Sequence, residues 1–381
     1  TSKVTSLYYT FYIGSDFNGN LSGWDTSRVT NMGGTFRHAH NFNGDLSGWN
    51  TASVTTLQSI FHDAQAYNAD ISNWNTASVT TLAYTFYGAS GFNEDLSGWD
   101  TSSVTSLSNT FNRAASFNGN LSDWDTSSVI NMGATFFITH SFNGDISSWN
   151  TSRVTSMHGL FSSAFAFNGD ISRWDTSRVM SMQEPFAFTP LFNGDISDWD
   201  TSSVTTFWGA FYGASAFNGD ISRWITSRNR MLFLTFKDAI AFNADISGWD
   251  TSSVTDLRDT FYRASSFNID ISNWILSQVP DTTGWWGGFN SNAFYNTNSL
   301  GECTKKLIYD SWHTNQGLDM STYSSWATPI CCIMTKSELM AHVTSWTSSS
   351  MNHPCGEIIG NWDVSRVTDM SNVFESKTTF N

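Results

Sequence analysis

Nine aspartates share one phase of a 25-residue interval: Asp45, Asp70, Asp95, Asp145, Asp170, Asp195, Asp220, Asp245 and Asp270. Stacked at strand spacing, about 4.8 Å, each neighbouring pair would repel by roughly 0.9 kcal/mol in water. Such a row would recruit a hard cation such as Ca²⁺, whose preferred ligands are carboxylate oxygens. The alternative is that each Asp bonds backbone N–H groups of its own turn and stays solvated. Residues 41–45 lack the dense acidic spacing of an EF-hand loop. Calcium is therefore a cofactor the row would accept and not one the chain requires.

Other chemistry-bearing residues are sparse. Asn20, Asn120 and Asn150 begin Asn-x-Ser sequons, and the first two stand where the Asp row switches to Asn. The four cysteines, Cys303, Cys331, Cys332 and Cys355, fall within one short span without a C-x-x-C pair. This disfavours zinc and predicts two disulfides in an oxidising compartment, with Cys331 and Cys332 pairing outward to Cys303 and Cys355 in a connectivity left open. The eight His are scattered, with no H-E-x-x-H, no Ser-His-Asp arrangement and no phosphate loop. The chain is not expected to be an enzyme.

These residues are positioned by a repeat. From Phe17-Asn18-Gly19-Asn20-Leu21-Ser22-Gly23-Trp24 the pattern recurs every 25 residues, without insertion, to Phe267-Asn268 and Trp274, giving eleven copies. Asn18, Asn43, Asn68, Asn93, Asn118, Asn143, Asn168, Asn193, Asn218, Asn243 and Asn268 form an invariant column, as do the Trp and a second Phe that runs from Phe11 to Phe261. A constant period predicts a solenoid whose coils contact mainly their neighbours. Residues 21–24 alternate apolar and small groups like a short strand, and the stretch around residues 109–115 suits a helical or 3₁₀ turn. Five large apolar columns, at the phases of Phe11, Phe17, Leu21, Trp24 and Val29, supply one continuous core, and the Asn column reads as an amide ladder. A Thr row at phase 26 beside Ser or Ala at phase 27 has the look of a flat ice-binding face, interrupted by Arg28, Arg153, Arg178 and Arg228.

The pattern Phe-Asn-x-Asp-Ile-Ser-x-Trp-Asp-Thr-Ser-x-Val-Thr-x-Met, clearest at residues 142–157 and 167–182, resembles the 25-residue repeat of BspA-like leucine-rich-repeat surface proteins. The resemblance covers 1–279 and returns at 361–381. It implies a secreted or surface-attached, leucine-rich-repeat-like solenoid, and the residue pattern adds the expectation of a β-solenoid with one short strand and a helical turn per coil. It brings no catalytic residues with it. The pattern departs at Ile225, Asn229, Arg230, Ile275 and Leu276, which predicts irregular coils or a contact site.

Beyond the array (1–279), residues 280–301 read as a loop or cap, and 302–358 as a small α-rich cysteine-containing module. Within that module Thr335-Lys336-Ser337-Glu338 forms a capping box. A partial coil follows at 359–381. The first coil (Val4, Phe11, Phe17) and the last (Trp362, Val367, Phe374, Phe380) cover the same phases and carry no caps. This predicts either a segment of a longer polypeptide or a subunit whose ends stack on neighbouring copies.

Composition narrows the class further. In 381 residues there are 33 acidic and 18 basic side chains, a net charge of −15, with 15% aromatic residues. A disordered chain would be aromatic-poor, a nucleic-acid binder would be basic, and no apolar run is long enough to span a membrane. The expected function is a structural subunit of an extracellular filament or surface appendage, self-assembled head to tail. The alternative is a monomeric surface adhesin that binds glycans or other surface proteins.

Overall fold

The computed structural model describes residues 1–280, 289, 292–316 and 318–327. It divides into two compact units, Thr1–Phe267 with Trp274–Asn298, and Asn268–Asn273 with Ser299–Asn381. The first is a repeat protein in which each 25-residue coil lies on the next.

The apolar columns become its core. Phe36, Phe42, Leu46 and Val54 are fully buried, and the Trp column from Trp49 to Trp274 is exposed by 5% or less. Within a coil the two Phe rings stack, as at Phe36 and Phe42 with centroids 4.0 Å apart. Between coils the same columns continue at 5.8 Å (Phe36–Phe61) and 6.5 Å (Trp49–Trp74). Each Trp also donates its Nε1–H to a carbonyl 28 residues back, as Trp74 does to Leu46 at 3.2 Å and Trp149 to Leu121 at 3.1 Å. A Phe would fill that space but leave the carbonyl unpaired, which accounts physically for a Trp column there.

The backbone does not form the expected strand at residues 21–24. Ser22 and Gly23 lie in a turn, with the Trp24 N–H donating to the Leu21 carbonyl at 3.1 Å. The turn is favoured because the Asn20 Oδ1 accepts from the Ser22 N–H at 2.9 Å, satisfying the backbone locally. Among the described residues no extended strand occurs. Neighbouring coils are joined by isolated parallel bridges at another phase, such as Ser6 with Asn31 and Ser106 with Asn131.

In place of strand and helix, alternate amides divide their hydrogen bonds. Leu107, Asn109, Phe111 and Arg113 donate to Asn131, Gly133, Thr135 and Phe137 of the next coil, at 2.7–2.9 Å. The amides between them, Thr110, Asn112 and Ala114, donate back three residues to Leu107, Asn109 and Phe111. Every second N–H is thus used across coils and every other one within a turn, so none of these buried donors is orphaned. The third residue of alternate turns must take positive φ, as at Asn109 (58°) and Arg113 (61°). The same two columns hold Gly at Gly34, Gly88, Gly159, Gly209 and Gly213, but also residues that resist this conformation, such as Ile138 (56°).

The departures from the pattern do not break the stack. Ile225 still supplies its carbonyl to Thr201, and Arg230 still donates its N–H to Thr205 at 3.0 Å. Asn229, buried in the Val column, accepts from the Phe207 and Met231 amides.

In the second unit, α1 (Glu302–Tyr309) continues into a π-helical turn, Asp310–Asn315, and a 3₁₀ segment follows at Ser321–Ala327. Ile308, Trp312, Met320, Tyr323 and Trp326 are buried there, and the Gly301 N–H preceding α1 donates to the Asn268 Oδ1 at 2.8 Å. The expected capping box lies outside the described residues. No helix is long and apolar enough to cross a membrane among the described residues.

Ala134 occupies one of the positive-φ columns at 54°. Ala134→Gly is expected to raise the stability by about 0.5–1 kcal/mol in urea denaturation, because glycine takes this conformation without steric cost. Gly34→Ala is expected to lower it by about 1 kcal/mol or more, since the added methyl would also meet the Tyr9 ring.

Candidate functional site

The aspartate row is a row of turns. Asp45, Asp70, Asp95, Asp145, Asp170, Asp195, Asp220, Asp245 and Asp270 each accept from the amide two residues on, as the Ser47 N–H donates to Asp45 Oδ1 at 2.9 Å. A second row, at the phase of Asp25, does the same for the following turn. The side-chain and backbone bonds from Ser47 hold Asp45 below the ordinary carboxylate range. For Asp70, Asp145, Asp170, Asp195 and Asp220 the backbone bond is the larger cause of the same lowering, and for Asp25, Asp100, Asp125, Asp175 and Asp250 it is the serine hydroxyl. The sequon asparagines Asn20, Asn120 and Asn150 are exposed and accept from Ser22, Ser122 and Ser152 in the same way.

The asparagine column links coils directly. The Asn43 N–H donates to Asn18 Oδ1 at 3.0 Å, and the chain of bonds runs on through Asn68, Asn93, Asn118, Asn143, Asn168, Asn193 and Asn218 to Asn243. The threonines at phase 26 are buried, each donating its hydroxyl to a carbonyl of the next coil, as Thr26 does to Asn50 at 3.0 Å. They present no surface, which removes the ice-binding reading. In the first coil Val4, Phe11 and Phe17 are half-buried, whereas their columns are fully covered further along. Trp362, Val367, Phe374 and Phe380 lie outside the described residues. Among the described residues Cys303, on α1, has no disulfide partner. Cys331, Cys332 and Cys355 also lie outside the described residues.

One side-chain cluster was invisible as a motif. His38 and Asp63 stand 25 residues apart in a single column, so coil stacking places them side by side, and His62 precedes Asp63. The His38 N–H donates to the His62 carbonyl at 2.7 Å, fixing that register. Asp63 Oδ2 lies 3.2 Å from His38 Nδ1 and 3.4 Å from His62 Nε2. His62 is the most enclosed of the three and stacks on Tyr87, with ring centroids 4.4 Å apart. Burial holds its imidazole down to about 4, against the opposing pull of Asp63, so it is neutral at pH 7. Its Nδ1 is buried without a hydrogen-bond partner. Arg37 lies on the other side, with Nε 3.4 Å from His38 Nε2 and Nη1 3.2 Å from the Tyr9 hydroxyl. The signal in the sequence was the spacing of 24 and 25 residues, which gains meaning only once the repeat is folded.

Carboxylates with depressed pKa values contribute stability that is present above about pH 4 and lost as pH falls below it. The melting temperature is therefore expected to decline gradually between about pH 4 and pH 2, and Asp145→Asn should shallow that decline by lowering the pH 7 value slightly while leaving the pH 2 value nearly unchanged. For the ladder, Asn143→Ala removes the acceptor of the Asn168 N–H and is expected to cost about 0.5–1 kcal/mol in urea denaturation, since water can replace an exposed acceptor. Asn143→Asp keeps the acceptor and should recover most of that loss.

No curated protein matches the chain. Residues 1–99, 81–197, 180–299 and 339–381 match the family described as "Mycoplasma protein of unknown function, DUF285". These segments cover most of the sequence, so the chain belongs to that family.

Proposed function

We propose that the protein is a structural subunit of an extracellular filament or surface appendage, built by coil-on-coil stacking. In this reading the array is a solenoid of the leucine-rich-repeat kind, as the resemblance to BspA-like surface proteins implies. The observation that carries the proposal is the self-complementarity of the coil. One face of each coil fits the opposite face of its neighbour through the same contacts, namely the Asn ladder, the Trp bonds and the ring stacks. An interface of this kind is heterologous, and a head-to-tail contact that does not close generates an open filament. Any coil face left uncovered would bind another by contacts the array already uses.

The second reading is a monomeric adhesin. It is favoured by large apolar side chains that the stack leaves exposed, including Phe165 (46%), Met180 (56%) and Leu191 (56%). Aromatic and methionine side chains are enriched at binding surfaces.

Electron microscopy and sedimentation of the native protein separate the two. Rods with a constant axial repeat, whose length grows with concentration, are expected for the filament. A monodisperse monomer at the highest attainable concentration would overturn it and leave the adhesin.

A further inference from the structure

We propose that His38, His62 and Asp63 bind a divalent transition-metal ion of the Zn²⁺ class, a function independent of the filament reading. One donor atom from each residue lies within 4.8 Å of the others, and Asp63 Oδ2 stands closest to His38 Nδ1 and His62 Nε2. Ligands of a tetrahedral Zn²⁺ sit about 2.0–2.1 Å from the ion, which puts any two of them about 3.3 Å apart. The two nitrogen-to-oxygen separations, 3.2 and 3.4 Å, are already at that edge length. They are long for N–H···O hydrogen bonds, which cluster near 2.9–3.0 Å. Small rotations of the imidazoles would close the remaining edge, leaving a fourth position for water.

The donor set selects the ion. Two imidazoles and one carboxylate suit Zn²⁺ and its neighbours, whereas Ca²⁺ and Mg²⁺ prefer oxygen alone. The surroundings preserve the geometry. His62 is held by its stack on Tyr87, and Asp63 is fixed by its N–H bond to the Tyr87 carbonyl at 2.6 Å. Gly88 follows in the same column as Asp63, and a side chain there would collide with the Asp63 carboxylate. The three donors are only partly covered, with side-chain exposures of 28%, 12% and 27%, so an ion has access from solvent.

Arg37 opposes binding. Its Nε points at His38 Nε2, and that contact suits the tautomer in which Nδ1 carries the proton. A metal on Nδ1 needs the other tautomer, so Arg37 must swing away when the ion binds. This makes the arginine a diagnostic for the site.

The test is calorimetric titration of the full chain with Zn²⁺ at pH 7.5, paired with the visible spectrum of the Co²⁺ form. One equivalent is expected to bind with a dissociation constant in the micromolar range, and Co²⁺ should give the intense absorption of tetrahedral coordination. His62→Gln and Asp63→Asn should each weaken binding by about 10-fold or more. Arg37→Gln should tighten it. Asn tolerates positive φ, so Asp63→Asn keeps the backbone at that position. Circular dichroism then distinguishes lost ligation from lost folding. Absence of binding up to 1 mM Zn²⁺ in the folded wild-type chain, or affinity unchanged in both ligand variants, would overturn the proposal.

Discussion

The whole array depends on one constraint: a coil can satisfy its backbone only by borrowing carbonyls 24 to 26 residues away in a neighbouring coil. Leu107, Asn109, Phe111 and Arg113 have no acceptor within their own turn, and neither does the amide of Asn118. A coil in isolation would leave these donors facing water or buried unpaired, at a cost of about 1–3 kcal/mol for each that is buried. Stacking resolves all of them together. The same translation brings Phe onto Phe and Trp onto Trp, so hydrophobic burial and hydrogen bonding reward one register. An insertion of one residue in a coil would lose both, which is why the period has no slack over eleven copies.

That constraint also decides where strain is tolerated. Alternating turn bonds with cross-coil bonds forces two positions per coil to positive φ, and the register imposes this whatever residue stands there. Leu234, Phe188 and Ile138 adopt it although each would avoid it in isolation. Each carries a cost of order 1 kcal/mol that the neighbouring coils offset. The polar residues serve the same end. Asp at the phases of Asp25 and Asp45 caps turns, Asn joins coils, and Trp does both apolar and polar work through one ring.

Much of this was legible in the residues themselves. Phe, Trp and Val columns announce a core because nothing else keeps such large groups at one phase, and the Asn column announces a backbone role because its amide can reach a neighbouring coil. The local conformation was not legible. Leu21-Ser22-Gly23-Trp24 alternates like a strand, but the Asn20 side chain captures the Ser22 amide and closes a turn instead. The positive-φ columns give no sign of themselves, since Tyr84, Glu184 and Arg263 are not turn formers. The phase-26 threonines looked like a surface because a hydroxyl is polar, yet each side chain is buried and its hydroxyl is consumed by a carbonyl. The His38, His62 and Asp63 cluster is not a contiguous motif, because His38 meets the other two only across coils.

The 25-residue register is tested most directly by residue-resolved amide hydrogen exchange of the full chain, comparing wild type with Asn118→Ala. Asn143 is exposed, and its N–H has one partner in the register described, the Asn118 Oδ1 at 2.8 Å. Slow exchange at the Asn143 amide in wild type, with a selective loss of protection there in Asn118→Ala, is the predicted result. Fast exchange at Asn143 in the folded wild-type chain, or protection unchanged by the substitution, would contradict the register on which the account rests.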